Sequence, residues 1–202
     1  PEKSMYFQDG GEHVLIPSSS ALPLGIGEDF SVSFWVNPSS ATANRKIMIS
    51  RQDDSTFAGG WHISQGPSYG GPTYQFQFYV GSTSGGGAIT SGLSTSTWHH
   101  IVATYNQSAN QLYLYRNTVQ SSVGPRNPFA ANPDSTGPVT IGATLDANND
   151  FDGYINNVAL FNKVLSTGEV STIYNSGCPA DLRGLSGITN WWRLGDGDTY
   201  PT

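Results

Sequence analysis

The sequence predicts an all-β fold, an antiparallel two-sheet jelly-roll sandwich with one short helical turn, and three observations carry that expectation. Charged residues make up only 12% of the chain while aromatics reach the same share, a balance that favours strands joined by turns over solvated helices. Apolar and polar residues alternate in short runs, the period of a strand with one buried face. Stretches rich in Gly, Pro, Ser and Asn separate those runs, as stacked antiparallel sheets require. The 202 residues suffice for one good-sized core, and all-β sandwiches of this length commonly form one domain.

Residues 30–36 give the clearest strand. Phe30, Val32, Phe34 and Val36 share one face and Ser31, Ser33 and Trp35 the other, while Pro38 closes the strand because it has no N–H to offer a ladder. Ile47 to Ser50 and Trp61 to Ser64 read as two short strands separated by the polar stretch Arg51 to Gly60. Tyr74, Phe76, Phe78 and Val80 then alternate with Gln75, Gln77 and Tyr79, so one face meets the core and the other meets solvent or a ligand. Trp98 to Tyr105 and Gln111 to Arg116 form a hairpin across Asn106 to Asn110. Val139 to Gly142 and Tyr154 to Asn162 supply further strands, and the Pro- and Asn-rich stretch between Val123 and Pro138 is a long loop. Ser166 with Glu169 three residues on makes a capping box for a helix that uses Val170, Ile173 and Tyr174 and stops at Asn175 and Gly177.

Composition also excludes whole classes of function. The formal charge is −6 and no Lys/Arg cluster occurs, so there is no footprint for a phosphate backbone and nucleic acid is not an expected partner. No apolar run approaches the roughly 20 residues that cross a bilayer. Residues 1–20 lack the charged-then-apolar layout of a secretory signal, so the chain reads as soluble as it stands, and Pro1 suggests a trimmed start. The single cysteine, Cys178, cannot form an internal disulfide; it reads as a free thiol or as a link to another subunit. Asn106-Gln-Ser108 matches a glycosylation acceptor at a hairpin tip.

The segments Phe30 to Pro38, Thr97-Trp-His-His-Ile-Val-Ala-Thr-Tyr105, and Phe151-Asp-Gly-Tyr-Ile-Asn-Asn-Val-Ala-Leu-Phe-Asn162 followed by Leu165-Ser-Thr-Gly-Glu169 occur in that order. Together they resemble the laminin-G-like jelly rolls of the concanavalin-A-like lectin/glucanase superfamily, over roughly residues 4–177. The resemblance divides the chain into a jelly roll at 1–177 and a C-terminal segment at 178–202. It also implies a calcium ion held by Asp9, in Gln8-Asp-Gly-Gly-Glu12, facing Asn156 on the closing strand. The family's acidic residues are replaced here by Asn156 and Asn157, which offer carboxamide oxygen but no formal charge. Asp9 equally suits a simple turn before Gly10 and Gly11. Asp146, Asn149, Asp150 and Asp152 form a second acidic group on a rim loop.

The strand Trp191-Trp-Arg-Leu-Gly-Asp-Gly197 normally opens such a domain, yet here it stands last. It either completes this sandwich, or begins a further repeat, or pairs with a neighbouring copy to build a homo-oligomer.

Catalytic constellations are not legible. Retaining glycosidases need two carboxyl groups about 5 Å apart, and the glucanases' Glu-x-Asp-x-x-Glu strand is absent. Glu2, Glu12, Glu28 and Glu169 sit near a terminus, turns or a cap. His99 and His100, as strand neighbours, point to opposite faces and cannot grip one metal together, while His13 and His62 stand apart. No serine has a nucleophile-elbow context. Sugar recognition instead needs flat aromatic surfaces and planar amides, and Trp61, Tyr69, Tyr74, Gln75, Gln77 and Tyr79 form the candidate set around residues 66–73. Trp61 and Tyr74 equally suit the core. The resulting expectation is a non-catalytic binding module at an extracellular, cell or virion surface, recognising surface glycans. Its alternative is an assembly subunit of a filament or virion surface that binds neighbouring subunits.

Overall fold

The structure, a computed structural model, describes residues 3–18, 22, 28–41, 44–51, 60–67, 74–81, 87–90, 92–121, 124–125 and 137–195. In chain order these form β1 (Met5–Phe7), β2 (Val14–Ile16), β3 (Phe30–Pro38), β4 (Lys46–Arg51), β5 (Trp61–Pro67), β6 (Tyr74–Val80) and β7 (Ala88–Ile89). They continue with β8 (His99–Asn106), β9 (Gln111–Arg116), β10 (Val119–Gln120), β11 (Gly124–Pro125), β12 (Val139–Ile141), β13 (Gly153–Phe161), α1 (Thr167–Tyr174) and β14 (Ile188–Trp192). Sheet A runs β1-β13-β3-β8-β9-β10, with β11 added to β9 and β14 to β13; sheet B runs β2-β12-β4-β5-β6-β7. The architecture is the two-sheet antiparallel jelly-roll sandwich expected of the alternating pattern.

Side chains of one parity fill the space between the sheets. Val32, Phe34, Ile101, Leu114 and Ile155 from sheet A meet Ile49, Ile63, Phe76, Phe78 and Ile141 from sheet B, all fully buried. Each contributes about 1.5–3 kcal/mol by leaving water. A second apolar layer lies on the outside of sheet A, where Val102, Tyr115, Ala159 and Phe161 receive Val170 and Ile173 of α1 together with Leu165 and Leu182. The helix starts where the capping box predicts, since Ser166 accepts from Glu169 N–H and Glu169 accepts from Ser166 N–H. It stops at Asn175 in the left-handed conformation, φ 46°, a geometry asparagine tolerates better than most residues.

The C-terminal Trp-Trp strand pairs within the chain. Val158 faces Trp192 and Ala159 faces Trp191, so β14 lies beside the second half of β13, whose first half pairs with β1. Trp192 packs against the inter-sheet core and Trp191 against the helix layer. The Trp191 indole N–H donates to Asn157 Oδ1 at 3.0 Å. The long stretch between Val123 and Pro138 contributes Gly124–Pro125 as a short strand beside β9.

Candidate functional site

The alternation read in β6 sorts the candidate residues onto two faces. In the β5–β6 register Ile63 faces Phe78, His62 faces Tyr79 and Ser64 faces Gln77, so Gln75, Gln77 and Tyr79 share the outer face with His62 and Ser64. Trp61 has the inward parity. Its ring lies 5.7 Å from Phe30 and only 2% of the residue is exposed, which corrects its assignment to a sugar platform: the indole stabilises the core and cannot meet a ligand outside. Tyr74 shares the inward parity of Phe76, and Tyr69 lies outside the described residues. The six residues therefore do not form one surface.

The outer face they leave is polar. Tyr79 stacks on His62 at 5.2 Å, and the Arg45 guanidinium lies 5.3 Å from the same ring. Gly87 permits this packing, because a Cβ there would come within 2.5 Å of Tyr79. Burial, with the Arg45 charge second, holds His62 well below the ordinary histidine range, so its ring is neutral at pH 7. Burial pushes the Tyr79 phenol up, with Arg45 opposing. Gln77 donates to the Pro67 carbonyl at 3.0 Å. Gln75 and Gln77 are both buried, so what reaches solvent is the end of this face.

That end opens into a cleft of about 470 Å³, lined by Gln75, Ile89, Thr90, Arg116, Asn117, Val119, Gln120 and Ser121. It lies where the β6–β7 margin of sheet B meets the β9–β10 hairpin of sheet A. The hairpin turn is the two-residue Asn117-Thr118, with φ 48° and 71°, the positive values that a type I′ turn needs. Arg116 donates to the Gly92 carbonyl and keeps further donors at the cleft. Amides, hydroxyls and one guanidinium thus converge between the apolar walls of Ile89 and Val119, the usual make-up of a small-ligand site. Gln75 is the one residue of this cleft that sequence reasoning found. The signal overlooked was the exposed Val119-Gln120 after a turn-prone Asn-Thr pair.

The histidines behave as strand neighbours should. His100 bonds Ser33 at 2.9 Å and packs on Trp35 on the outer side, while His99 packs edge-on against Phe76 on the inner side. Burial holds His100 at about 3.

The resemblance-implied calcium pair is not brought together. Met5 pairs with Ile155, which puts Ser4 beside Asn156, whereas Asp9 lies past the end of β1 in the turn that follows. Asp9 instead bonds Lys46 Nζ at 2.8 Å. Asn156 donates to the Lys3 carbonyl and accepts from Asn157. As a pair they do not fit the ion. The rim acids make local bonds: Asp150 Oδ2 accepts from Gly11 N–H at 2.8 Å while its Oδ1 is buried with no hydrogen-bond partner among the described residues, and Asp146 accepts from Thr144 and Asn148. Among the described residues no group of three or more His, Cys, Asp or Glu is placed to hold a metal. Likewise no helix there is long and apolar enough to cross a membrane.

A different outward-facing group escaped the sequence reading. Tyr6 and Tyr154 are 47% and 40% exposed, with ring centres 4.8 Å apart, and Trp98 lies 6.4 Å from Tyr154. An aromatic residue at the solvent parity of an otherwise apolar strand, as in Met5-Tyr6-Phe7 and Gly153-Tyr154-Ile155, is the signal that could have found it.

A concanavalin-A-like antiparallel β-sandwich is the class of protein that this fold defines. The chain belongs to the concanavalin A-like lectin/glucanases superfamily, whose laminin-G-type family model matches residues 8–171. No curated protein matches it in sequence. Among solved structures it is similar to a native heptameric SAP-like pentraxin from Limulus polyphemus, with 15% identity, TM-score 0.61, and coverage of 90% of this chain and 83% of that one. It is also similar to domain 4 of AbnA, an extracellular arabinanase from Geobacillus stearothermophilus solved with arabinotriose, with 17% identity, TM-score 0.59, and coverage of 83% and 74%. A botulinum neurotoxin type C structure, described for its interaction with two ganglioside molecules, matches with 17% identity and TM-score 0.61; 85% of this chain covers 42% of that one.

Proposed function

We propose that this protein is a non-catalytic glycan-binding module working at an extracellular surface, and that the cleft between β6–β7 and β9–β10 is its sugar site. The observation that carries the reading is the lining of that cleft: Gln75, Asn117 and Gln120 amides and Thr90 and Ser121 hydroxyls beside Ile89 and Val119. Sugars present alternating hydroxyl edges and C–H faces, and such a lining answers both. The pentraxin, arabinanase and neurotoxin likenesses support a recognition role, two of them being described with a saccharide or a ganglioside. Against a hydrolytic role, Glu169 serves the helix cap and Lys163, whose hydrogen bond first holds its carboxyl at about 2. The assembly reading loses one of its motives, because the Trp-Trp strand that suggested it is paired with β13 of the same chain.

A glycan array followed by titration calorimetry tests the proposal. Gln120→Ala combined with Arg116→Ala is expected to weaken the best array ligand at least about tenfold, equivalent to 1.4 kcal/mol. Unchanged affinity in a folded double variant would remove the cleft from the sugar site.

A further inference from the structure

We infer that the Tyr6–Tyr154–Trp98 strip on the outer face of sheet A is a second carbohydrate-contacting surface, suited to a short uncharged oligosaccharide. This rests on the reading of the protein as a glycan binder, but it uses none of the cleft's residues. Pairing builds the strip. Tyr6 faces Tyr154, Tyr154 faces Asn37, and Val36 faces His99, which sets Asn37 beside Trp98. Four neighbouring strand positions therefore carry ring, ring, amide, ring across about 14 Å, taking the usual strand spacing. That exceeds a single sugar ring.

Exposure singles it out. Among the described residues the exposed large hydrophobics are Tyr6, Leu15, Ile89, Val119 and Tyr154. Ile89 and Val119 line the cleft, Leu15 stands alone, and the remaining two are the tyrosines of the strip. One row nearer the middle of the same face, Trp35 is covered, stacking on Tyr174 of α1 at 5.7 Å with planes 14° apart. The helix layer thus ends just short of the strip, leaving its rings open.

The chemistry selects the occupant. Three partly covered rings offer on the order of 300 Å², well short of the ~800 Å² per partner that a stable protein interface buries. Successive ring planes are tilted by 43° and 49°, so the platform is twisted and suits a chain that turns along its length better than a flat surface. The rim is polar: the Tyr6 hydroxyl donates to Asp152 Oδ1 at 3.2 Å, and Ser40 donates to Asp152 Oδ2 at 3.4 Å. The Asp152 carboxylate that accepts from those hydroxyls places negative charge at the strip, which would not attract an anionic ligand. Aromatic faces meet sugar C–H groups while Asn37, Ser40 and the phenols meet hydroxyls.

The test uses the whole chain and a panel of linear neutral hexasaccharides (arabinan, xylan, cellulose and chitin series) in titration calorimetry, with ring resonances of Tyr6 and Tyr154 followed by NMR. Tyr6→Ala/Tyr154→Ala, on exposed positions and checked by thermal melting, is expected to weaken one or more hexasaccharides at least about tenfold. Tyr6→Phe, which keeps the ring, is expected to stay within about threefold. In the wild type the bound hexasaccharide should shift both tyrosine ring signals. Binding that survives the double alanine variant, or that leaves both ring signals unmoved while the cleft variant abolishes it, would overturn the strip and leave the cleft reading intact. Failure of every array glycan and every hexasaccharide to bind the wild type would overturn both.

Discussion

The outer face of sheet A carries Val102, Tyr115, Ala159 and Phe161 and is closed by α1, whereas the outer face of sheet B carries Ser50, His62, Ser64, Gln77 and Thr140, all buried. Away from the Tyr6–Tyr154–Trp98 strip both faces are removed from water, but by different means. Apolar burial stabilises the first in proportion to its area. On the second, burial of polar groups is offset only where bonds are made, as between Ser50 and Thr140 at 2.7 Å, and is costly where they are not. Ser64 Oγ is one buried atom with no hydrogen-bond partner among the described residues. The outer face of sheet A bears part of the same cost, since Ser31, Ser33, His100 and Thr104 are buried on it as well and Thr104 Oγ1 has no hydrogen-bond partner among the described residues.

This contrast can be broken in three places. Phe161→Ala on the helix-covered side should lose about 3–5 kcal/mol by cavity formation, read in chemical denaturation, with glycan affinity unchanged at a temperature where the variant stays folded. A loss below 1 kcal/mol would show that the helix layer contributes little.

Acid should act on both faces with one sign. His100 is held at about 3 by burial, against an ordinary 6.5, so between those values the unfolded chain binds the extra proton. Stability then falls as pH drops through 6.5 and keeps falling toward 3, by about 2 kcal/mol at pH 5 from this residue. His62, also lowered by burial, adds to the same slope. His100→Gln should flatten the dependence between pH 6.5 and 4 in denaturation midpoints, leaving the part due to His62 and to His99, which burial also lowers. An unaltered slope would mean that His100 is not its source.

The smallest effect belongs to Ser64→Ala. Removing a buried hydroxyl without a partner should leave stability unchanged or raise it by up to about 1 kcal/mol. A clear loss in thermal melting would show that the hydroxyl is bonded and that the polar face is as well satisfied as the apolar one.

Much of the fold was legible because strand parity is a local property. Phe30 through Val36, Tyr74 through Val80 and the helix cap at Ser166 all announce themselves within a few residues, and the structure places them as read. The short strands β7, β10 and β11 were not legible, since two residues carry no period. Parity also separated Gln75, Gln77 and Tyr79 from the core, but it did not say that Trp61, one strand over, takes the inward phase. Strand register settles that, and register depends on which residues pair across the turn.

By itself the sequence determined the sandwich class, the inward stripes and the capped helix, because alternation and capping act between residues a few positions apart. Only the tertiary structure decided that Asp9 stands apart from Asn156, that the Trp-Trp strand closes its own sheet, and that Tyr6, Tyr154 and Trp98 meet although Tyr6 and Tyr154 are nearly 150 positions apart. Such meetings are set by strand order and register across the whole chain, which no local pattern encodes.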